Sequence, residues 1–191
     1  MNEPESLQQA GQILDGNLFL IGFMGAGKST VAQALSALYG MEVIEMDGEI
    51  ERRAGRSISD IFSTLGEEAF RQMETELITT LEPGKRLVVS CGGGTAMREV
   101  NVQAMRRSGS IVWLTATPET ILARVADSGS RPLLEGHKDL AYIQTMLRQR
   151  QPKYEAAADI AVATDGKDAA QICGDILAAL KARRQGREQE G

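Results

Sequence analysis

Gly22-Phe23-Met24-Gly25-Ala26-Gly27-Lys28-Ser29-Thr30 fits the pattern GxxxxGK[ST] and directly follows the apolar run Leu18 to Ile21. Glycines at these spacings let the backbone curl until its N–H groups point inward at an anion, and the N-terminus of a following helix favours the same charge. Gly25, Ala26, Gly27, Lys28, Ser29 and Thr30 are therefore candidate ATP-binding residues. Lys28 supplies a mobile cation for the β- and γ-phosphates, and the Ser29 hydroxyl is placed to ligate Mg²⁺. A glycine-rich strand-to-helix turn with an incidental lysine is the bland alternative, and the strand and helix patterns on either side disfavour it. ATP or GTP is the expected ligand.

Outward from this loop, short aliphatic runs recur at Leu18 to Ile21, Val43 to Glu45, Arg86 to Ser90, Ser110 to Leu114 and Asp159 to Ala163. Each is separated from the next by longer helix-compatible sequence, which calls for a parallel sheet covered on both faces. Helices are expected over Ser29 to Tyr39, Arg98 to Arg107, Pro118 to Ala126, Ala141 to Gln149 and Ala169 to Ala182, with one or two over Ser57 to Leu81 before the Pro83-Gly84 break. Ligands of such a sheet bind at the carboxyl edge of its strands.

A chain of 191 residues with 25% charged and 42% apolar residues suits one α/β domain, 17–180, and no apolar run approaches a bilayer span. Residues 1–16 and 181–191 read as flexible ends. The formal charge of -5 disfavours nucleic acid as a partner. Cys91 and Cys173 belong to no CxxC pair or Cys/His cluster and read as buried reduced thiols. The polar, acidic N-terminus lacks the pattern of a secretory signal, so a cytoplasmic protein without membrane partners is expected. Ser128 to Asp139, with two glycines, one proline and three basic or histidine residues, reads as a lid or as a plain solvated connection.

Three clusters carry further chemistry. Glu45-Met46-Asp47 follows the second strand; its carboxylates suit Mg²⁺ and an acceptor hydroxyl, or equally the capping of a following helix. Asp47 is the candidate base or orienting group, since the loose transition state of phosphoryl transfer asks for a positioned hydroxyl more than full proton removal. Ser90-Cys91-Gly92-Gly93-Gly94-Thr95 ends the third strand and brings bare backbone close to an anion or hydroxyl, unless it is a flexible turn. Arg71, Arg124, Arg131 and Arg150 form a scattered cationic set, each with an ordinary surface explanation when taken alone.

Taken together, these pieces resemble the shikimate kinases from Leu18 to about Leu180. The matching segments are Ile21 to Thr30, Asp47 with Ile50-Glu51, Gly55-Arg56-Ser57-Ile58, Ile61-Phe62, Gly66-Glu67, Phe70-Arg71 with Glu74, Gly92-Gly93-Gly94, Arg131-Pro132-Leu133-Leu134, and Arg150 with Pro152 and Tyr154. The resemblance implies a P-loop, three-layer α/β/α fold with a five-stranded parallel sheet of order 2-3-1-4-5, acting as a monomer. It implies ATP-dependent phosphorylation of the shikimate 3-hydroxyl, on the way to chorismate and aromatic amino acids, with Mg²⁺ as cofactor. Asp47, Arg71, Gly92, Gly93, Gly94 and Arg150 would then hold shikimate, the two arginines gripping its carboxylate bidentately. Arg124 would lie against adenine, and Arg131 would close on the phosphates as a catalytic residue beside Lys28 and Asp47. Where the family often has Asp two residues before the acceptor-binding Asp, this chain has Glu45. Its extra methylene is compatible with a water-mediated contact to Mg²⁺, which usually keeps several waters.

A gluconate-type kinase would explain the phosphate loop, but not the joint presence of Phe70-Arg71, the triple glycine and the Arg150 segment. A nucleotide-dependent switch would call for a guanine-reading NKxD, which is absent, and an inactive paralogue would be expected to lose Lys28, Asp47 or Arg131, all of which are present. His137 reads as a solvated loop residue, and Trp113 and the methionines as packing.

Overall fold

In the computed structural model, residues 16–126 and 139–190 are described, together with Ile13. The expected N-terminal extension, apart from Ile13 and Gly16, lies outside these residues, and so do Ser128 to Lys138 of the lid segment, with Arg131 and His137.

The chain alternates strand and helix. Its elements are β1 (Asn17–Ile21), α1 (Lys28–Tyr39), β2 (Glu42–Glu45), α2 (Met46–Ala54), α3 (Ile58–Thr79), β3 (Leu87–Ser90), a 3₁₀ turn (Thr95–Met97), α4 (Glu99–Ser108), β4 (Gly109–Thr115), α5 (Pro118–Ala126), α6 (Leu140–Ala157), β5 (Ile160–Ala163) and α7 (Ala169–Glu190). The strands form one sheet of order β2-β3-β1-β4-β5 with every pair parallel, as the family resemblance implies.

β1 lies at the centre with all five residues buried. Side chains alternate across a strand, and its apolar residues serve two cores. Leu18 and Leu20 pack with Val31 and Leu35 of α1 and Ile172 and Ile176 of α7 on one face. Phe19 and Ile21 pack with Leu77 and Ile78 of α3, Val102 and Met105 of α4, and Tyr154 of α6 on the other. This central strand feeds the phosphate loop, so the loop starts from the best-anchored backbone in the sheet.

At the opposite end of β1, Asn17 pairs in register with Gly109 of β4. A methyl group placed on Gly109 would come within 1.9 Å of the Asn17 carbonyl oxygen. Both atoms are fixed by the sheet, so there is no flexible side chain to yield. Gly109→Ala is expected to lower the unfolding free energy by about 3 kcal/mol, the upper part of the range for forced overpacking. A chemical denaturation curve with unchanged slope and a lower midpoint would show it.

Four local features bear on the expectations. α2 occupies Met46–Ala54, the following helix that the sequence leaves open beside a catalytic role for the acids; of its polar run just Met46 and Ile50 are buried. The long helix α3, where the sequence predicts one or two helices, is broken at Gly66, whose φ of 83° and ψ of 169° only glycine adopts readily. α6 continues past Gln149 through Pro152 to Ala157. α7 continues through Glu190 instead of fraying after Ala182, and Arg183 and Arg184 donate to the backbone carbonyls of Asp159 and Ile13.

Candidate active site

The carboxyl ends of β1, β2 and β3 meet at the phosphate loop. Gly25 and Gly27 have φ values of 79° and 94°, which lets the backbone curl before α1 begins. Lys28 Nζ donates to the carbonyl oxygens of Gly22 and Phe23 at 2.9 and 3.1 Å, so its charge sits across the mouth of the loop. Ser29 Oγ donates to Glu45 Oε2 at 3.0 Å and lies 3.3 Å from Ser90 Oγ. The other carboxylate oxygen of Glu45, Oε1, is buried and has no hydrogen-bond partner among the described residues. An orphaned anionic oxygen beside two hydroxyls at the phosphate loop is a donor set suited to a hard, hydrated cation.

Next to it the triple glycine gathers residues from three helices. Gly92 faces α2 and α3, since a methyl group there would lie 3.2 Å from Asp47 Oδ1 and 2.7 Å from Glu74 Oε1. Gly94 faces Arg71 of α3, whose Nη1 would be only 2.5 Å from such a methyl group. Gly93 faces Arg150 of α6 and the start of the phosphate loop, with Arg150 Nη1 at 3.6 Å and the Met24 nitrogen at 3.8 Å from the same construction. No side chain larger than hydrogen fits at Gly92 or Gly94 without displacing a charged group. Two guanidinium groups 79 positions apart in the chain (150 − 71) thus flank consecutive residues of one loop.

Arg71 is held from both sides. Its Nη1 donates to Glu74 Oε2 at 2.8 Å, and its Nη2 and Nε donate to Glu67 Oε1 at 2.9 and 3.2 Å. Burial works against the charge of Arg71, but Glu74 and then Glu67 outweigh it and raise its pKa above that of a free guanidinium. Glu74 is fully buried, and its second oxygen accepts the Thr95 hydroxyl at 2.6 Å. Arg150 lies over the Phe23 ring at 5.5 Å and donates to the Gly93 carbonyl at 3.4 Å. Arg124 is half-buried beside the loop; its Nη1 donates to Gly25 O and Thr164 Oγ1, each at 3.0 Å, and its Nη2 to Thr164 O at 3.1 Å.

Cys91, just before the glycines, and Cys173 are both free and buried, as expected. Burial pushes both thiols up, Cys173 to about 11, so neither is a nucleophile at neutral pH. A hollow of about 460 Å³ bordered by Phe23, Trp113, Ile121, Leu147, Gln151 and Tyr154 adjoins the charged cluster through Phe23 and Tyr154, although neither Asp47, Arg71 nor the three glycines line it.

Of the residues singled out from the sequence, the structure brings together the phosphate loop, Glu45, Asp47, Arg71, the three glycines and Arg150, and sets Arg124 against the loop. Arg131 lies outside the described residues. Sequence reasoning gave no role to Glu74, Thr95, Ser90 or Tyr154. Helical spacing was the available signal for two of them: Glu74 stands three residues after Arg71, and Tyr154 four after Arg150.

Comparison with known proteins identifies the family and the fold. The shikimate kinase family model matches residues 24–181. A shikimate kinase of Moorella thermoacetica is 41% identical over 169 residues, covering 88% of this chain and 96% of the relative. One of Thermus thermophilus is 44% identical over 162 residues, covering 84% and 88% respectively. The solved structure of the Acinetobacter baumannii shikimate kinase in complex with shikimate superposes with a TM-score of 0.80 at 33% identity, over 87% of this chain and 93% of that one. A Sinorhizobium meliloti gluconokinase reaches a TM-score of 0.54 at 22% identity, over 93% and 98%, a likeness of fold alone. Family-level similarity thus extends over most of a chain whose sheet has the order 2-3-1-4-5, and the chain belongs to the shikimate kinase family.

Proposed function

We propose that this chain transfers the γ-phosphoryl group of ATP to the 3-hydroxyl of shikimate, giving 3-phosphoshikimate and ADP, and that the residues gathered at the triple glycine are its acceptor site. The observation that carries this reading is the placement of Arg71 and Arg150 against Gly94 and Gly93, beside the phosphate loop. Their planar donors match a carboxylate, and neither loses its charge at physiological pH. The acid is thereby anchored at one end, and a ring hydroxyl is left to approach the nucleotide.

Asp47 accepts the hydrogen bond of the reacting hydroxyl and orients its oxygen in line with the γ-phosphorus. The new O–P bond forms as the bond to the β–γ bridging oxygen breaks, and ADP leaves with that electron pair. The hydroxyl proton passes to Asp47 or to water. Lys28, which now bridges two loop carbonyls, turns to the β- and γ-phosphates and offsets the charge that develops between them. Arg131 is the further cation proposed from sequence for the transferring group. Mg²⁺, held by the Ser29 hydroxyl and through water by Glu45, would neutralise the β- and γ-oxygens. Glu45→Gln is accordingly expected to raise the Mg²⁺ concentration for half-maximal activity about fivefold to tenfold, a loss of roughly 1 to 1.4 kcal/mol for one charged hydrogen-bonding oxygen. A Mg²⁺ titration at saturating ATP measures it.

No helix among the described residues is long and apolar enough to cross a membrane. The net charge of -5 supports small ligands over nucleic acid, and we propose a cytoplasmic monomer. An ADP-release assay comparing shikimate, quinate, gluconate and no acceptor tests the function. Shikimate-dependent release is expected. Release that depends on gluconate, or that needs no acceptor, would overturn the reading.

A further inference from the structure

The Gly93 carbonyl receives two donors from α6, the Tyr154 hydroxyl at 2.5 Å and Arg150 Nη1 at 3.4 Å. Tyr154 follows Arg150 by four residues, so both project from the same face of the helix. Tyr154 is only 1% exposed, and its ring stacks on Trp113 of β4 with centroids 5.9 Å apart and planes 24° from parallel. Stacking and this hydrogen bond hold the ring, and its hydroxyl serves as a fixed point. Burying a hydroxyl is costly unless it is bonded, and here the acceptor loop supplies the bond. One residue earlier, Lys153 Nζ ties α6 to the far end of that loop through Met97 O at 3.0 Å.

What this fixed point controls follows from peptide planarity. In a trans peptide the carbonyl and the next N–H point in opposite directions. Holding the Gly93 carbonyl toward α6 turns the Gly94 N–H away from it. Gly94 is the residue packed against the Arg71 guanidinium, and Gly93 the one packed against Arg150. Rotating this single peptide would shift the floor between the two arginines.

We infer that Tyr154 is a positioning residue for the acceptor: its hydroxyl locks the Gly93–Gly94 peptide, which spaces Arg71 from Arg150, and so tunes recognition of a carboxylate-bearing acceptor that the tyrosine never touches. The inference rests on the proposed role of those two arginines as a carboxylate clamp. Burial also pushes the phenol pKa up against the opposing pull of Arg150, so the hydroxyl stays a donor throughout the neutral range.

Tyr154→Phe removes the hydroxyl and keeps the stacked ring. The KM for shikimate is expected to rise about tenfold, the effect of one lost buried hydrogen bond, with kcat changed by less than about threefold and the KM for ATP unchanged. The preference for shikimate over quinate in kcat/KM should fall with it. An unchanged shikimate KM would overturn the inference. So would a parallel rise in both KM values, or a variant too unstable to assay at 25 °C, since each means a plain packing role. Arg150→Ala run alongside separates the two levels. If it leaves shikimate binding intact, the clamp itself fails; if it weakens binding while Tyr154→Phe is silent, only the inference about Tyr154 fails.

Discussion

Arg71→Ala is expected to weaken shikimate binding by about 2 to 5 kcal/mol, roughly 30-fold to several thousandfold, while ATP binding stays within about twofold. The loss has two sources that must be separated. One is the missing bidentate donor to the acceptor carboxylate. The other is Glu74, which is completely buried and keeps only the Thr95 hydroxyl once its guanidinium partner is gone. An uncompensated buried charge of this kind costs about 3 to 5 kcal/mol of fold stability. Arg71→Ala should therefore also melt at a lower temperature. The double variant Arg71→Ala/Glu74→Gln removes the stranded charge, and it is expected to regain most of the stability and none of the shikimate affinity. Calorimetric titration with shikimate and with ATP, together with a thermal melt of each variant, resolves the two effects. Recovery of shikimate binding in the double variant would mean that Arg71 only neutralises Glu74, and that the carboxylate is gripped elsewhere.

Lys28→Ala is expected to lower kcat by about 10² to 10³-fold, the range found when one preorganised donor to a developing anion is removed. The lysine spans the carbonyl oxygens of Gly22 and Phe23, and the Phe23 oxygen also accepts the Ala26 N–H at 3.1 Å. Its removal should leave the melting temperature nearly unchanged and shikimate binding intact. Single-turnover phosphoryl transfer with saturating substrates isolates the chemical step. A loss confined to the KM for ATP, with kcat preserved, would assign Lys28 to ground-state binding alone.

The sheet was legible from sequence because its inner strands β1 and β3 are buried throughout and read as unbroken apolar runs, Leu18 to Ile21 and Leu87 to Val89. The phosphate loop was legible because its glycines and lysine keep a fixed spacing. α2 was not, since a polar run with a glycine in it resembles a loop until Met46 and Ile50 find their core. The sequence predicts a helix end at Gln149, three residues before Pro152, and tertiary support from Tyr154 and Ala157 in the core explains why α6 runs on. The acceptor residues were named through resemblance to a family, and no periodicity could have paired Arg71 with Arg150. Glu74 shows the limit most plainly. In sequence it is one more acid on an amphipathic helix, and its importance comes from complete burial between Arg71 and Thr95.

The hydrogen bonds of Arg124 also bear on the choice of nucleotide. Its guanidinium directs Nη1 and Nη2 at Gly25 O and at Thr164, so a base beside it would meet the plane of the group rather than those bonded nitrogens. A heterocycle laid on that plane, as proposed for adenine, would be held by stacking, and every purine or pyrimidine has a π-face to offer. The edge atoms that distinguish adenine from guanine would go unread by this residue. Such a kinase should be strict about its acid and lenient about which nucleoside triphosphate it spends.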